Sequence, residues 1–256
     1  MAITLDSTTD GGTATATTLT FSHTIATNSY LVVGVGITAA SSDYITGVTF
    51  NGNAMSRILF KDEGTEAQAW LYGLYVSAGV TANVVITSAS SQSIRGGAIS
   101  YTLASRSNAT GNSSGNSTTP SGSVTTTIDN EWAVMVLSNN SGTADNSGLT
   151  GGVNRVSRAN FAMYDTNAPK TPAGAVTFSN ITIPSGRWAV ALGSIVPGVL
   201  VDIPVTNDTN ATTDSVVYGL GITPTDTNEN TDSVSFATWE NQPKSTAPTW
   251  TNQSKS

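Results

Sequence analysis

The sequence has no cysteine and a single histidine, and Asp, Glu, Lys and Arg together make up only 11% of its 256 residues. Without cysteine there is no disulfide framework and no thiolate zinc site. With one histidine, His23, there is one candidate for the base that activates a serine or threonine nucleophile. No cluster of Lys and Arg occurs, and the formal net charge is −7. That balance argues against the electrostatic footprint of a nucleic-acid binder or a protein of anionic membranes. No hydrophobic run approaches the length of a transmembrane helix, and no amphipathic helix of convincing length is present. The N-terminal MAITLDSTTDGG lacks the basic and apolar regions of a signal peptide. Synthesis in a cytoplasm, with release by assembly or lysis, is the expectation.

What is abundant is Ser, Thr, Asn and 24 glycines, a composition of short strands joined by turns. The organising stretch is Tyr30–Ile37, YLVVGVGI. Strand side chains alternate with a period of two, so Leu31, Val33, Val35 and Ile37 share one face and Tyr30, Val32, Gly34 and Gly36 the other. Both faces are apolar or small, which places this strand in mid-sheet with a second layer on its larger face. Ile45–Phe50, the pair Asn51–Gly52 and Met55–Phe60 then read as a hairpin, since both turn positions need φ > 0.

Further strands are expected at Ile3–Leu5, Thr13–Ile25, Gln68–Val76, Ala82–Thr87, Ala98–Leu103, Val124–Ile128, Trp132–Leu137, Arg155–Tyr164, Ala175–Phe178 and Trp188–Val196. A strand about every ten residues is the pattern of a sandwich or jelly roll. The polar stretches Ser105–Ser123 and Ser138–Gly152 read as long surface loops. EWAVMVLS at Trp132 and RWAVALGS at Trp188 echo each other, which predicts two similar core strands. The fold class is therefore all-β: a jelly-roll-like β-sandwich over residues 1–197. Pro197–Gly198 mark the boundary of a C-terminal β-repeat tail or small β domain, 198–256. In that tail DTNATTDSVVYG, from Asp208, returns as DTNENTDSVSFA, from Asp226, at a period of 18 residues. WENQPKS, from Trp239, returns as WTNQSKS, from Trp250. Short polar repeats of this kind cannot bury a face alone and need neighbouring copies or another chain.

Candidate chemistry is sparse. His23 lies within the strand LTFSHTI with no G-x-S-x-G elbow in the chain, and reads as a polar strand residue beside a sheet edge. Asp62, Glu63, Glu66 and Glu131 are the carboxylates a glycosidase would draw on. The first three fall in one loop and read more simply as a solvated acidic turn. Asp208/Asp214 and Asp226/Asp232 could offer oxygen ligands to calcium, but their spacing matches no EF-hand or nonapeptide repeat, so caps or turns are preferred. Trp70, Tyr72 and Tyr75 could form a sugar-stacking platform; alternation puts Trp70 and Tyr72 beside Leu74 and Val76, the signature of a core face. Trp239 and Trp250 stand in polar surroundings with Lys244 and Lys255 close by in sequence. These four residues are the expected interaction site through which the tail anchors on a protein surface. No catalytic residue, cofactor or metal is expected.

The series YLVVGVGI, ITGVTFNGNAMSRI, AWLYGLYV, TANVVIT and GGAISYTL resembles a β-sandwich domain of tailed-phage virion proteins and phage-derived bacterial genes. There an apolar strand leads into a V-T-[FY]-N-G hairpin, an L-[WY] strand and a short N-V-V-I-T strand. The resemblance covers about residues 1–197, and the closing WTNQSKS is similar to endings of phage structural proteins. It implies a non-enzymatic virion component, a capsid decoration protein or part of a fibre, on the particle surface. Its partners would be capsid or other virion proteins and sister subunits, with a trimer suggested by threefold axes. The alternative reading is a carbohydrate-binding or host-adhesion module with a surface glycan as partner.

Overall fold

The computed structural model describes residues 2–38, 42–64 and 66–198, and the backbone of Val201–Pro204 and Ser215–Tyr218. The chain divides into two units, Met1–Ile222 and Thr223–Ser256, and all the described residues belong to the first. The fold is all-β, of sandwich type, and every paired ladder is antiparallel.

The first sheet is built on a long bent ribbon. β1 (Thr4–Ile25) pairs with β7 (Val80–Thr102) along nearly its whole length, from Thr4↔Thr102 to Ile25↔Val80. On its other side β7 pairs first with β3 (Ile45–Phe50) and then with β2 (Ser29–Ile37). β6 (Gln68–Val76) and β5 (Ser56–Asp62) continue beyond β2, and β4 (Asn53–Ala54) lies outside β3. The two end strands, β4 and β5, are separated in sequence by Met55 alone, so the sheet curls almost into closure. The expected turn is present, with φ of 50° at Asn51 and 77° at Gly52. Register shifts at Leu5/Ser7, Asp10/Gly12 and Ala16/Thr18 let β1 fold over itself. Phe21 then sits where a side chain on Gly11 would be, 2.4 Å from the position of its missing Cβ.

The second sheet has the order β11-β10-β13-β8, from β8 (Ala104–Asn116), β10 (Trp132–Thr143), β11 (Val153–Asp165) and β13 (Arg187–Pro197). A two-stranded sheet of β9 (Gly122–Thr125) and β12 (Ala175–Phe178) covers its far side. β14 (Val201–Pro204) and β15 (Ser215–Tyr218) form a separate antiparallel pair, the latter within the first copy of the Asp208 repeat.

Three apolar layers result. Leu31, Val33, Val35 and Ile37 pack inside the curled sheet with Leu19, Phe50, Trp70, Ile86 and Ile94. Val32, Leu71, Ile99 and Tyr101 meet Val134, Val136, Phe161, Met163 and Ile195 between the two large sheets. Met135, Leu137, Tyr164, Val190 and Leu192 meet Val124, Val176 and Phe178 beneath the small sheet. β2 is thus covered on both faces, not on its larger face alone. Gly34 explains how: a Cβ there would lie 2.5 Å from Val136 Cγ2 and 2.9 Å from Met163 Sδ. The smaller face of YLVVGVGI is where the second sheet comes closest.

Several strands depart from the expected bounds. The two short segments expected before Ile25 are one strand, β1, and Ala82–Thr87 and Ala98–Leu103 are one strand, β7. Most of the expected loop Ser105–Ser123 is the edge strand β8, and β10 runs on to Thr143 into the second expected loop. β8 contributes backbone hydrogen bonds to β13 from Arg187↔Asn116 to Pro197↔Ala104. Its small residues are needed because β9 and Trp188 lie against it: a Cβ on Gly111 would meet Ser123 O at 2.0 Å, and one on Gly115 would meet the Trp188 ring at 2.9 Å. The echoing segments turn out to be neighbours, β10 and β13, with Trp132↔Ile195 and Asn139↔Trp188. That register puts matching residues on opposite faces, Trp132 in the layer between the large sheets and Trp188 in the layer beneath the small one.

The expected boundary at Pro197 coincides with the end of β13. Gly198 N donates to Leu103 O (2.7 Å), beside Thr102 and its partner Thr4, so the sandwich begins and ends at the β7–β8 corner.

Candidate functional site

Four clusters among the described residues bear on the catalytic candidates. In the first, β1 brings His23 over Ser100 of β7 and Asp6 of its own N-terminal half. Ser100 donates its single proton to Asp6 Oδ2 (2.7 Å), so its oxygen accepts from His23 Nε2 (3.1 Å). His23 Nδ1 is then the unprotonated nitrogen and accepts from Thr9 Oγ1 (2.8 Å). Asp6 Oδ2 also accepts from Ala26 N (2.9 Å). Burial pulls the imidazole from its ordinary 6.5 down to about 4, with the Asp6 charge opposing. His23 and Ser100 are at most 1% exposed. The group is a Ser–His–Asp set with its proton pointing the wrong way: the serine hydrogen goes to the carboxylate, and the histidine donates where a base must accept. His23 does lie on an edge strand, as expected, but its side chain faces inward, edge-on to Phe50 at a centroid distance of 6.3 Å.

The second cluster corrects the solvated-turn reading of the acidic loop at Glu63, while Glu66 is exposed as that reading has it. Glu63 is carried across to the second sheet, where its Oε1 accepts from Arg187 Nη1 (2.5 Å), and its side chain is only 6% exposed. Glu66 accepts from Asn140 Nδ2, and Asn140 Oδ1 accepts from Arg187 N (2.8 Å). Asp62 Oδ1 caps Gly64 N (2.6 Å). The loop is a latch between the two large sheets.

At the third, Asp165 at the end of β11 is fully buried and accepts from Arg155 Nε (2.9 Å) and Tyr101 Oη (3.0 Å). Burial and then the Asp165 charge hold the Tyr101 hydroxyl well above its ordinary value. In the fourth, Glu131 is fully buried and accepts from Asn108 Nδ2 (2.6 Å). Thr127 N and Oγ1 complete its shell at 3.4 and 3.5 Å. Of the carboxylates a glycosidase would draw on, Glu63 is bound to Arg187 and Glu131 sits enclosed within the Asn108–Thr127 shell, while Glu66 is exposed and engaged with Asn140. Among the described residues no three His, Asp or Glu side chains converge as metal ligands.

Trp70 and Tyr72 belong to the core inside the curled sheet, with Leu74 and Val76 packed against its margin. Trp70 stacks on Phe60 at 4.8 Å, and its Nε1 donates to Oδ1 of Asp43 (3.0 Å), whose Oδ2 pairs with Arg57. A sugar ring cannot reach that face. The expected interaction residues Trp239, Lys244, Trp250 and Lys255 lie outside the described residues, as do Asp208, Asp214, Asp226 and Asp232.

The functional weight of these clusters could be found in sequence only in part. His23 was visible as the lone histidine, whereas the Glu63–Arg187 and Tyr101–Asp165 contacts join residues 124 and 64 positions apart with no local motif to announce them. No known protein family, curated protein or solved structure matches the chain.

Proposed function

We propose that the chain is a non-enzymatic structural protein of a virus particle, a capsid decoration protein displayed on the particle surface. The observation that carries this reading is the state of the His23 cluster. The one histidine is enclosed, neutral and oriented as a donor, so the groups most able to do chemistry are engaged in holding the curled sheet together. The carboxylates point the same way, since Glu63, Glu131 and Asp165 all serve contacts within or between layers. An exterior rich in Ser, Thr and Asn and sparse in charge on the long strands β1 and β8 suits a protein that stands on a surface. The phage-like series of strands from Tyr30 to Leu103 supports the virion assignment. In this reading the segment 198–256, with Trp239, Lys244, Trp250 and Lys255, docks the sandwich on capsid or other virion proteins or on sister subunits. The competing carbohydrate-binding reading loses its aromatic platform, because Trp70 and Tyr72 are inside the core.

The test is co-sedimentation of the full chain with purified particles, alongside a variant lacking Val199–Ser256. The full chain is expected to travel with particles at a fixed stoichiometry, and the shortened variant to stay in the supernatant. Retention of the shortened variant at wild-type levels would remove the tail as anchor. A full chain found only in the supernatant would end the virion reading.

A further inference from the structure

Arg95 is an anomaly among the described arginines. Arg57, Arg155, Arg158 and Arg187 each hold a carboxylate, and Arg106 is exposed. Arg95 is only 9% exposed and has no carboxylate partner among the described residues. Its Nη1 makes both of its hydrogen bonds, to Thr38 Oγ1 and Ser93 O, each at 3.2 Å. Nε and Nη2, the edge of the guanidinium that grips an oxyanion in two-pronged fashion, have no acceptor among the described residues. An arginine keeps its charge in any surroundings, so burial cannot neutralise it.

The neighbours make the imbalance worse. In the ladders Arg95 stands opposite Thr13 of β1 and Gly36 of β2. The Thr13 hydroxyl accepts from Arg158 Nη1 (2.8 Å), while Arg158 Nε and Nη2 clasp Asp10 (2.7 Å each). A second guanidinium therefore flanks the first, and burial together with Arg158 disfavours the charge on Arg95. Two hydroxyls complete the surroundings. Thr38 and Thr13 each accept from an arginine, which leaves each O–H hydrogen available to donate. One enclosed cation without a carboxylate, the Arg158–Asp10 pair beside it and two donor hydroxyls leave this corner with a net positive charge on a protein of net charge −7.

We propose that Arg95, flanked by Arg158, Thr38 and Thr13, is a binding site for a single oxyanion group, a carboxylate or a tetrahedral sulfate or phosphate. It lies where the bend of the β1–β7 ribbon meets β11. The bound group accepts from Arg95 Nε and Nη2 and supplies the counter-charge that is missing among the described residues. The site is independent of the virion assignment.

The full-length protein is titrated with sodium phosphate in one arm and sodium acetate in the other, each against chloride at fixed ionic strength. Thermal midpoint and calorimetric binding are read for wild type, Arg95→Met and Arg95→Lys. Wild type is expected to bind one equivalent of phosphate or acetate, with a saturating rise in midpoint; the arm with the lower Kd tells a tetrahedral from a planar ligand. Arg95→Met is expected to show no saturable binding, and in chloride alone to melt at or above wild type, because an uncompensated buried charge has been removed. Arg95→Lys keeps the charge without the fork and is expected to bind about tenfold more weakly. If Arg95→Met does not fold, Arg95→Lys carries the test. Parallel rises in wild type and the variant, as a general salting-out effect produces, would overturn the site. So would no response in either arm, or Arg95→Lys binding as tightly as wild type.

Discussion

β2 and β8 are both paired strands of the same sandwich, yet they are held by opposite means. Every residue of β2 is buried, with one apolar layer on each face. In β8 only Ala104 is buried, and the strand is otherwise Ser, Asn, Thr, Gly, one Arg and the half-buried Ala109. β2 would seek the interior wherever it was placed, because its own side chains drive it out of water. β8 has no such drive, and its conformation is imposed by the hydrogen-bonding edge of β13, which is itself fixed by two cores. A hydrophobic strand carries its own address; a polar edge strand borrows one from its neighbour.

The contrast is most easily broken at Gly34. Gly34→Val places methyl groups into Val136 and Met163 and is expected to cost about 3 kcal/mol or more, as overpacking at its severe end does. Thermal unfolding followed by circular dichroism measures it, and a midpoint near wild type would mean that β2 is not clasped between two layers.

The inner core behind β2 is closed by His23, and acid tests that closure. The folded pKa of about 4 lies below the unfolded 6.5, so the unfolded chain takes up the proton first. Stability is therefore full above pH 6.5, declines as pH falls towards 4, and loses on the order of 3 kcal/mol across that window. Urea titrations at pH 7, 5.5 and 4.5 should show the decline, and His23→Leu should flatten it.

β8 has its own point of constraint. Gly111→Ala directs a methyl into Ser123 O, and a loss of about 2 kcal/mol is expected where the rest of the strand is tolerant. The tryptophan pair in β10 and β13 gives a smaller effect of known direction. Trp188 Nε1 donates to Ser117 Oγ (3.0 Å), whereas Trp132 Nε1 is buried without a partner. Trp188→Phe should therefore cost about 1 kcal/mol more than Trp132→Phe. Smallest of all, Asn112→Thr on the exposed side of β8 should stay within about 0.5 kcal/mol of wild type. A large loss there would show that β8 specifies its own place after all.

The same contrast accounts for what could be read in advance. β2, the Asn51–Gly52 turn, β6, β12 and β13 were legible because apolar alternation or turn chemistry marks them locally. β1 and β7 looked broken because bulges and the polar run Ser88–Ser93 interrupt their alternation, while the ladder between them continues on both sides. β8 was illegible because nothing in SRSNATGNSSGN distinguishes a strand from a loop until β13 is beside it. Of the candidate chemistry, the core placement of Trp70 and Tyr72 could be read from their spacing. The pairing of Glu63 with Arg187 could not, since it exists only once the sheets are stacked.

The meeting of Thr4, Thr102 and Gly198 at one corner has a topological consequence. The stretch 4–198, which enters and leaves the sandwich side by side, can be joined head to tail by a short linker and opened at an exposed turn such as Asn51–Gly52, with the ladders of its two large sheets kept. For the same reason the sandwich can be spliced whole into a loop of an unrelated host, hanging from it like a bead on a single stitch.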